Sequence, residues 1–282
     1  MADNLHTIQL GETSVTIINI GDVHEDVNLW FTLTEQERTQ YASLLAQPAR
    51  LTIYNVHFAL PTASILVDAG AYDYPPDAPQ LIPGYAPPPD LLTTLRTAAI
   101  QPEAITHVII THAHGDHFNA LTELRDGAYT PVFPNAQHYL GRGDWDAMQA
   151  RLADATSLES RTFGVLHQQG QLQVVDQEID LGHGVRIIPA PGESPGHQLV
   201  RLQSEGQTLY CIGDLYHLPA EVEQPHWTLP WNDAAVNQRS RAAFSAQASQ
   251  EKALLIACHI PALGRIQPTA AGYQWVATTS ND

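Results

Sequence analysis

The chain has 282 residues, 44% of them hydrophobic, which is enough for the core of one large folded domain and excludes a chain that is disordered throughout. Its formal net charge of −17, from 13 basic and 30 acidic residues, would repel the phosphates of nucleic acids and the anionic surfaces of membranes. We therefore expect neither nucleic acid nor a membrane as a partner.

Neither the N-terminal sequence nor the cysteine content indicates a secreted protein. The segment MADNLHTIQL has no basic region followed by an apolar stretch, so it predicts no secretory signal. No run of about 18 apolar residues occurs, which predicts no transmembrane helix. The two cysteines, Cys211 and Cys258, lie in apolar segments and are predicted to be buried core residues rather than a disulfide framework. A soluble cytoplasmic protein is the resulting expectation.

Short apolar strands separated by polar turns dominate the first third of the chain. Residues 14–20 and 63–68 contain many β-branched residues in an alternating pattern that is typical of strands. Between them, Thr34 and Glu37 form a T-x-x-E sequence, which predicts a capping box at the start of a helix over about 35–46.

The segment 75–89 (PPDAPQLIPGYAPPP) is rich in proline, which cannot donate to the hydrogen-bond ladders of helices or sheets. We predict a long surface loop here, and a linker between domains is the alternative. Because similar patterns of strands and helices lie on both sides of the segment, we predict one domain over residues 1–282. Its first 50 or so residues are expected to form an N-terminal extension.

Helices and strands alternate through the rest of the chain. In chain order the patterns predict a helix from Asp90 to about Ala99, a buried strand His107–Ile110, a helix over 143–153, strands over 171–175, 185–189, 198–203 and 207–212, a helix over about 234–250, a strand over 253–258 and a last strand near 272–277. Layers of helix outside two packed sheets would satisfy this order, although periodicity alone does not determine that architecture.

The strongest chemical signal is the segment His112-Ala-His114-Gly-Asp116-His117, which directly follows a predicted buried strand. Three imidazoles and one carboxylate within six residues are a ligand set that suits zinc and similar divalent metals. Gly115 permits the backbone turn that such a loop needs. A solvated polar loop is the alternative, but four potential ligands in six positions rarely arise by accident.

Three more candidate ligands lie at the ends of strand-like segments. His197 lies in SPGHQ before a strand, Asp214 ends the segment LYCIGD, and His259 ends LLIACH. Each alone would be read as an ordinary surface or core residue. Because loops at one edge of a sheet can converge, their shared position favours one common site.

With these residues in view, the chain resembles the metallo-β-lactamase superfamily. THAHGDH matches its H-x-H-x-D-H signature, SPGH its third-histidine turn, GD its bridging aspartate and CH its final histidine, in order over roughly residues 50–275. The resemblance implies the αββα sandwich, an α/β fold with two mixed sheets flanked by helices. It places the metals at one edge of the two sheets.

The resemblance implies two divalent metal ions, with zinc as the first expectation and manganese, iron or cobalt as alternatives. It divides the ligands as follows: His112, His114 and His197 at the first ion, Asp116, His117 and His259 at the second, and Asp214 as the bridge. Such a centre uses a metal-bridging hydroxide to attack a carbonyl carbon or a phosphorus. Asp116, which can orient the hydroxide, and the bridging Asp214 are therefore the predicted catalytic residues.

Several branches of the superfamily fit this chain less well. Zinc β-lactamases of the commonest type have Cys at the position of Asp214 and lack the equivalent of His117, and diiron redox members have Glu at the position of His114. The net charge disfavours the RNA-processing branch. Hydroxyacylglutathione hydrolases carry a basic patch near the C-terminus that is absent here.

The branch of N-acyl-homoserine lactonases and methyl parathion hydrolase is the most similar. The segment 237–275 and the sequence GDLYH resemble the methyl parathion hydrolase group. His217 occupies the place where the lactonases have a tyrosine, and Tyr216 precedes it. Relatives in this branch are often homodimers, so the resemblance includes a homodimer as one option.

The resemblance thus predicts a dinuclear metal-dependent hydrolase that acts on a small molecule, namely a lactone, an ester or a phosphotriester of little charge. A non-catalytic metal-binding protein of the same fold, a thioester hydrolase like glyoxalase II and a diiron redox protein are the alternatives. Ser194 has no base spaced to activate it, so we interpret it as a turn residue rather than a nucleophile.

The loop after Asp214, LYHLPAEVEQPHWTLPW, starts at a predicted ligand and is rich in aromatic residues and proline. A wall of aromatic side chains would favour apolar groups of a substrate. The alternative is that these side chains only cover the edge of the core. The predicted pocket residues are Tyr216, His217, His226, Trp227 and Trp231 from this loop, with Trp30 on the opposite lip.

Overall fold

Two seven-stranded sheets form the centre of the structure, a computed structural model that describes residues 4–70 and 90–278. The proline-rich segment 75–89, predicted to be a surface loop, lies outside the described residues. Within the described ranges, no helix is long and apolar enough to cross a membrane.

The first sheet is built from strands of the N-terminal half. The strands up to residue 175 are β1 (Leu5–Leu10), β2 (Thr13–Glu25), β3 (Ala49–Ala59), β4 (Ser64–Val67), β5 (His107–Ile109), β6 (Thr122–Arg125), β7 (Ala128–Pro131), β8 (Gln137–Gly141) and β9 (Leu172–Val175). The sheet has the order β1-β2-β3-β4-β5-β8-β9, while β6 and β7 pair as a separate hairpin. Strands β1 to β4 pair antiparallel, whereas β4, β5, β8 and β9 pair in parallel, so the sheet is mixed.

The second sheet follows the chain from one edge to the other. Its strands are β10 (Ile179–Gly182), β11 (Val185–Pro189), β12 (Gln198–Ser204), β13 (Gln207–Cys211), β14 (Leu254–Ile256), β15 (Gly264–Thr269) and β16 (Gly272–Ala277). Only β13 and β14 pair in parallel, and the long helix Ala234–Glu251 makes the crossover between them. A parallel pair needs a crossover connection of this kind.

Helices cover the outer faces of the two sheets. The described helices are Glu35–Gln40, Ala42–Leu45, Leu91–Thr97, Gly115–Phe118, Arg142–Ala147, Gln149–Leu152, Val165–Gln168, Ala220–Glu223 and Ala234–Glu251, with 3-10 turns at Val27–Leu29 and Pro102–Ala104 and a π-helical turn at Ser160–Gly164. Apolar residues such as Phe58 and Ile65 of the first sheet and Val200 of the second form a core between the sheets. Phe163 packs outside the first sheet and Phe244 outside the second. The predicted αββα sandwich is therefore confirmed.

The predicted helix over 35–46 is divided at Tyr41 into two short helices. Its capping box is present, since the hydroxyl of Thr34 accepts from the backbone N–H of Glu37 and the Glu37 carboxylate accepts from the backbone N–H of Thr34. Both cysteines, Cys211 and Cys258, are buried free thiols, as predicted.

The N-terminal extension is an integral part of the first sheet. Strand β2 pairs with β3 over most of its length, and β1 pairs with β2. These strands supply core residues such as Val15 and Ile17, so the predicted N-terminal extension of about 50 residues packs as part of the first sheet. Val27 and Phe31, farther along, pack on Trp227 in a separate apolar cluster.

Candidate metal centre

All seven predicted ligands meet at one edge of the two sheets. His112, His114, Asp116 and His117 follow β5, Asp214 follows β13, His259 follows β14, and His197 directly precedes β12. Strand β12 is antiparallel to β13, so the start of β12 lies at the same edge as the end of β13. Each ligand thus takes its position from a buried strand.

The first group of ligands surrounds His112. Its Nε2 atom lies 2.8 Å from Nδ1 of His114 and 3.6 Å from Oδ2 of Asp214. The backbone N–H of Asp214 points to Nε2 of His197 at 3.2 Å. His112 and His197 are fully buried, whereas the side chain of His114 is 39% exposed, so this group has one side open to solvent.

The second group lies on the other side of Asp214. Nε2 of His117 is 3.3 Å from Oδ1 of Asp214, and Nε2 of His259 is 3.1 Å from Oδ2. Oδ2 of Asp116 lies 3.8 Å from Nε2 of His117 and 3.5 Å from Nε2 of His259. Both oxygens of one buried carboxylate therefore face imidazoles, and Asp214 belongs to both groups.

Hydrogen bonds orient three of the histidines toward the centre. Nδ1 of His197 lies 3.2 Å from the carbonyl oxygen of Ala190, and Nδ1 of His259 lies 2.7 Å from that of Thr52. Because a carbonyl oxygen can only accept, each Nδ1 carries the proton and each Nε2 keeps a lone pair. Nδ1 of His117 similarly faces a carboxylate. Fixed tautomers of this kind are typical of metal-ligating histidines.

Burial and neighbouring charges set the protonation states of the predicted ligands. Burial lowers the pKa of His112 well below its ordinary value and lowers the pKa of His197 to about 3, so both stay neutral. Burial also tends to raise the pKa of Asp214, but attraction to His259 and His117 outweighs it and holds that pKa well below its usual range. The first group therefore combines neutral His112 and His197 with the ionised carboxylate of Asp214, whereas at the second group attraction to Asp214 outweighs burial and raises the pKa of His117 well above its ordinary value.

These residues fit two divalent ions. Nε2 of His117, Oδ1 of Asp214 and Oε2 of Glu193 are buried and have no hydrogen-bond partner among the described residues. Such atoms are costly to bury unless they bind something. Two donors about 2.1 Å from one tetrahedral ion lie about 3.4 Å apart, close to most donor separations here. Imidazole and carboxylate together suit zinc, manganese, iron or cobalt.

Cys258 lies close to the second group. Its sulfur is within 4.8 Å of donor atoms of His117, Asp214 and His259. Burial raises the pKa of its thiol well above the ordinary value, and the Sγ atom lies 3.7 Å from the carbonyl oxygen of Tyr54. Cys258 is therefore a buried core residue that lies beside the second group.

Asp144, which the sequence analysis missed, joins two of the ligand loops. Its carboxylate accepts from the backbone N–H of Ala113 at 2.9 Å and of Gly196 at 2.7 Å, and from the hydroxyl of Ser194 at 3.0 Å. Ser194 thus has the role of a turn residue. These bonds hold the loop of the first two histidines against the turn of His197.

Asp68, also missed, orients the second group. It follows β4 with a φ of 59°, a left-handed conformation that Asp tolerates better than most residues. Its buried carboxylate accepts from the backbone N–H of Thr111 at 2.7 Å and lies 2.9 Å from Nδ1 of His117. It therefore fixes both the start of the ligand loop and the tautomer of one ligand.

Replacing Asp68 by asparagine should lower metal affinity at the second group about 10- to 100-fold, because an outer partner of a ligating histidine is lost. Asparagine also adopts the left-handed conformation, so the backbone should stay in place. Chelator-competition titrations measure the affinity. Asp22→Asn, which affects a carboxylate bound to the exposed Arg50, is the control. Equal affinity in Asp68→Asn and the control would refute the role of Asp68.

Gly70 is required by a close approach of two backbones. A Cβ atom at this position would lie 1.6 Å from the carbonyl oxygen of Asp116, which cannot move without displacing the ligand turn. Gly70→Ala should therefore reduce bound metal and thermal stability together. At Gly164 an added Cβ meets ordinary contacts of 3.7 Å, so Gly164→Ala should leave both unchanged. Wild-type metal content in Gly70→Ala, measured by elemental analysis, would contradict this account.

The structure brings three of the predicted pocket residues to the site. Nε2 of His217 lies 3.3 Å from Oδ2 of Asp214, and its ring stacks on His259 with centroids 5.5 Å apart. Trp30 lies edge-on to His217 at 5.8 Å. Trp231, which is 54% exposed, stands edge-on to His114 at a ring separation of 6.1 Å.

The other three predicted pocket residues have hydrogen-bond partners outside the ligand groups, and their part in a pocket stays a prediction. The hydroxyl of Tyr216 bonds to Ser245 under the long helix, and both His226 and Trp227 bond to Glu37. Trp227 is 1% exposed and stacks on Phe31. The chain leaves the site after His217 because the helix Ala220–Glu223 begins there.

The chain belongs to the metallo-beta-lactamase superfamily, because the sequence pattern of that family matches residues 54–259. Among curated proteins, it is 24% identical over 133 residues to an N-acyl homoserine lactonase of Bacillus cereus. That alignment covers 47% of this chain and 47% of the relative, so the match spans about half the length of the relative.

Solved structures share the fold over nearly the whole chain. AidC, a dizinc quorum-quenching lactonase solved in complex with a product, superimposes with a TM-score of 0.78 at 22% identity and covers 98% of both chains. AbOPH, a hydrolase of the beta lactamase superfamily, gives a TM-score of 0.81 at 18% identity and 99% coverage of both chains. At these identities the likeness establishes the fold.

Proposed function

We propose that the protein is a dinuclear metal-dependent hydrolase whose substrates are lactones and related carboxylic esters. The observation that supports this most directly is the position of Asp214, whose two oxygens face both groups of imidazoles. Two ions held by these residues would lower the pKa of a water molecule and polarise the oxygen of the scissile bond. The names of two relatives, AidC and the lactonase of Bacillus cereus, favour a lactone as the substrate class.

The residues of the chain then have separate tasks. Asp116 has a side chain that is 35% exposed, and its Oδ2 lies 3.5 Å from Nε2 of His259. A carboxylate at the open side of the centre can accept a hydrogen bond from an incoming water and orient it for attack. Asp214, which is buried, instead holds the two groups of imidazoles at a constant separation.

His217 is placed to contact a substrate that enters between Trp30 and the ligands. Its backbone N–H donates to Oε2 of Glu221 at 2.6 Å, and its ring is held between Trp30 and His259. A ring held in this way can donate a hydrogen bond to a substrate oxygen without further ordering. It stands where the resemblance expects the tyrosine of the lactonases.

The surroundings of the centre favour neutral substrates with an apolar portion. Trp30 and Trp231 provide aromatic surface close to the ligands, and Trp231 is largely exposed. The net charge of −17 would repel polyanionic substrates. A small acyl lactone or aryl ester meets both conditions.

The test is a substrate panel on enzyme loaded with zinc, manganese or cobalt: an N-acyl homoserine lactone, p-nitrophenyl acetate, paraoxon and a glutathione thioester. We expect turnover of the lactone and the aryl ester, and its loss in Asp214→Ala. Turnover of paraoxon alone would favour a phosphotriesterase, and turnover of the thioester alone a glyoxalase II-like enzyme. Two bound metals without any turnover would favour the non-catalytic alternative, and an iron-dependent absorption spectrum the redox alternative.

A further inference from the structure

Glu193 is a buried acid in the turn that leads to His197, and neither the sequence motifs nor the proposed reaction uses it. The residue is 1% exposed and its side chain is fully buried. Its Oε2 lies 3.4 Å from Nε2 of His112, and its Oε1 lies 3.4 Å from Nδ1 of His114. The carboxylate is therefore aimed at two residues of the first group of ligands.

The hydrogen bonds of Glu193 leave one oxygen unsatisfied. Oε1 accepts from the indole N–H of Trp231 at 3.0 Å, whereas Oε2 is buried and has no hydrogen-bond partner among the described residues. No Lys or Arg within the described ranges forms an ion pair with this carboxylate. A buried acid in such a place is costly unless a cation compensates for it.

The distances indicate what that cation is. Two neighbouring donor atoms bound at about 2.1 Å to one five-coordinate ion lie about 3.0–3.6 Å apart. The Glu193 oxygens lie 3.4 Å from the nitrogens of His112 and His114, within that range. We propose that Glu193 is an additional ligand of the first metal ion, alongside His112, His114, His197 and Asp214. This inference rests on the dinuclear centre of the proposed function.

Trp231 then acts as a positioning residue for Glu193. Its indole N–H donates to Oε1, which leaves Oε2 directed at His112, and its ring packs edge-on to His114. The next residue, Asn232, donates from its side-chain amide to the backbone carbonyl of Glu193 at 3.0 Å. Outer partners of this kind commonly set the orientation of a metal ligand.

An extra carboxylate changes which metals the first site prefers. With Glu193, two carboxylates join the three imidazoles at this ion, and oxygen donors suit manganese better than a set of imidazoles alone does. Removing Glu193 should therefore weaken manganese binding more than zinc binding. This difference separates a ligand from a residue that only supports the fold.

The experiment is titration of the metal-free full chain with Zn²⁺ and Mn²⁺ in competition with a chelator, for the wild type, Glu193→Gln and Glu251→Gln. We expect Glu193→Gln to weaken one of the two sites at least tenfold for Zn²⁺ and further for Mn²⁺, and to alter the visible spectrum of the Co²⁺ form. Glu251→Gln, which affects a glutamate bonded to Arg201 and Tyr210 away from the centre, should match the wild type.

Trp231→Phe provides a second variant at a largely exposed position, where folding is not at risk. It should weaken the same site by a smaller factor, because it removes only the hydrogen bond to Oε1. Wild-type affinities for both metals in Glu193→Gln, with an unchanged Co²⁺ spectrum, would overturn the proposal. If Glu193→Gln does not fold, unchanged affinities in Trp231→Phe would overturn it. If the wild type binds fewer than two ions, the dinuclear centre of the proposed function is refuted instead. This outcome distinguishes failure of the proposed function from failure of the proposal about Glu193.

Discussion

Replacing Asp214 by alanine is expected to reduce the bound metal from about two ions per chain to one or none and to lower hydrolysis by about 10³-fold or more. The carboxylate lies within 3.6 Å of nitrogens of His112, His117 and His259, so its loss removes a donor from both groups. Elemental analysis and steady-state rates on the same preparation measure the two effects.

The control for this substitution is Asp146→Ala, since the side chain of Asp146 is 63% exposed and forms an ion pair with Arg142. It should keep wild-type metal content and rates, because exposed ion pairs contribute little. If Asp214→Ala retained two metals and normal turnover, Asp214 would not be the shared ligand and the dinuclear assignment would be wrong.

Removal of the metals should abolish hydrolysis and lower the melting temperature by about 10 °C. Ligands that bind only the native state at 1,000 times their Kd stabilise it by about 4 kcal/mol, and each kcal/mol corresponds to about 2–4 °C in a chain of this order of size. Without metal, the buried acids Asp214 and Glu193 also lose their compensating charge. Calorimetry before and after dialysis against a chelator measures the shift.

Adding back Zn²⁺, Mn²⁺ or Co²⁺ should restore both the melting temperature and the rate, whereas Mg²⁺, which prefers oxygen ligands, should not. A melting temperature that is unchanged by dialysis would show that the native state does not depend on bound metal. Restored stability without restored turnover would separate metal binding from catalysis.

The ligands could be predicted from the sequence because each lies beside a strong apolar strand. His259 follows β14 and Asp214 follows β13, and residues at the ends of neighbouring strands meet at one edge whatever the details of packing. Asp68 also directly follows an apolar strand, but it belongs to none of the recognised motifs, and Glu193 lies in a turn, where a single acidic residue is ordinary. Their roles depend on partners such as His117 that only the folded chain brings near.

Strand β3 and the contacts of the loop after Asp214 were harder to predict from the sequence, for related reasons. Strand β3 contains buried polar residues, among them Thr52 and Asn55, which interrupt the apolar pattern. The hydroxyl of Thr52 donates to the carbonyl oxygen of Cys258, a partner 206 residues away. The indole N–H of Trp227 donates to Glu37, a partner that lies 190 residues earlier in the chain. Local patterns carry no information about contacts of this range.

The wide spacing of the ligands along the chain has a consequence for biosynthesis. His112 to His117 leave the ribosome early, but Asp214 follows about 100 residues later and His259 later still. At about 5–20 residues per second, Asp214, the predicted bridging ligand, is synthesised about 5–20 s after the first four predicted ligands. A nascent chain therefore presents only part of the predicted ligand set, and we expect it to bind a metal ion more weakly than the full chain does. The metal supply available once Asp214 and His259 have been synthesised should then determine how much of the newly made protein becomes metal-loaded.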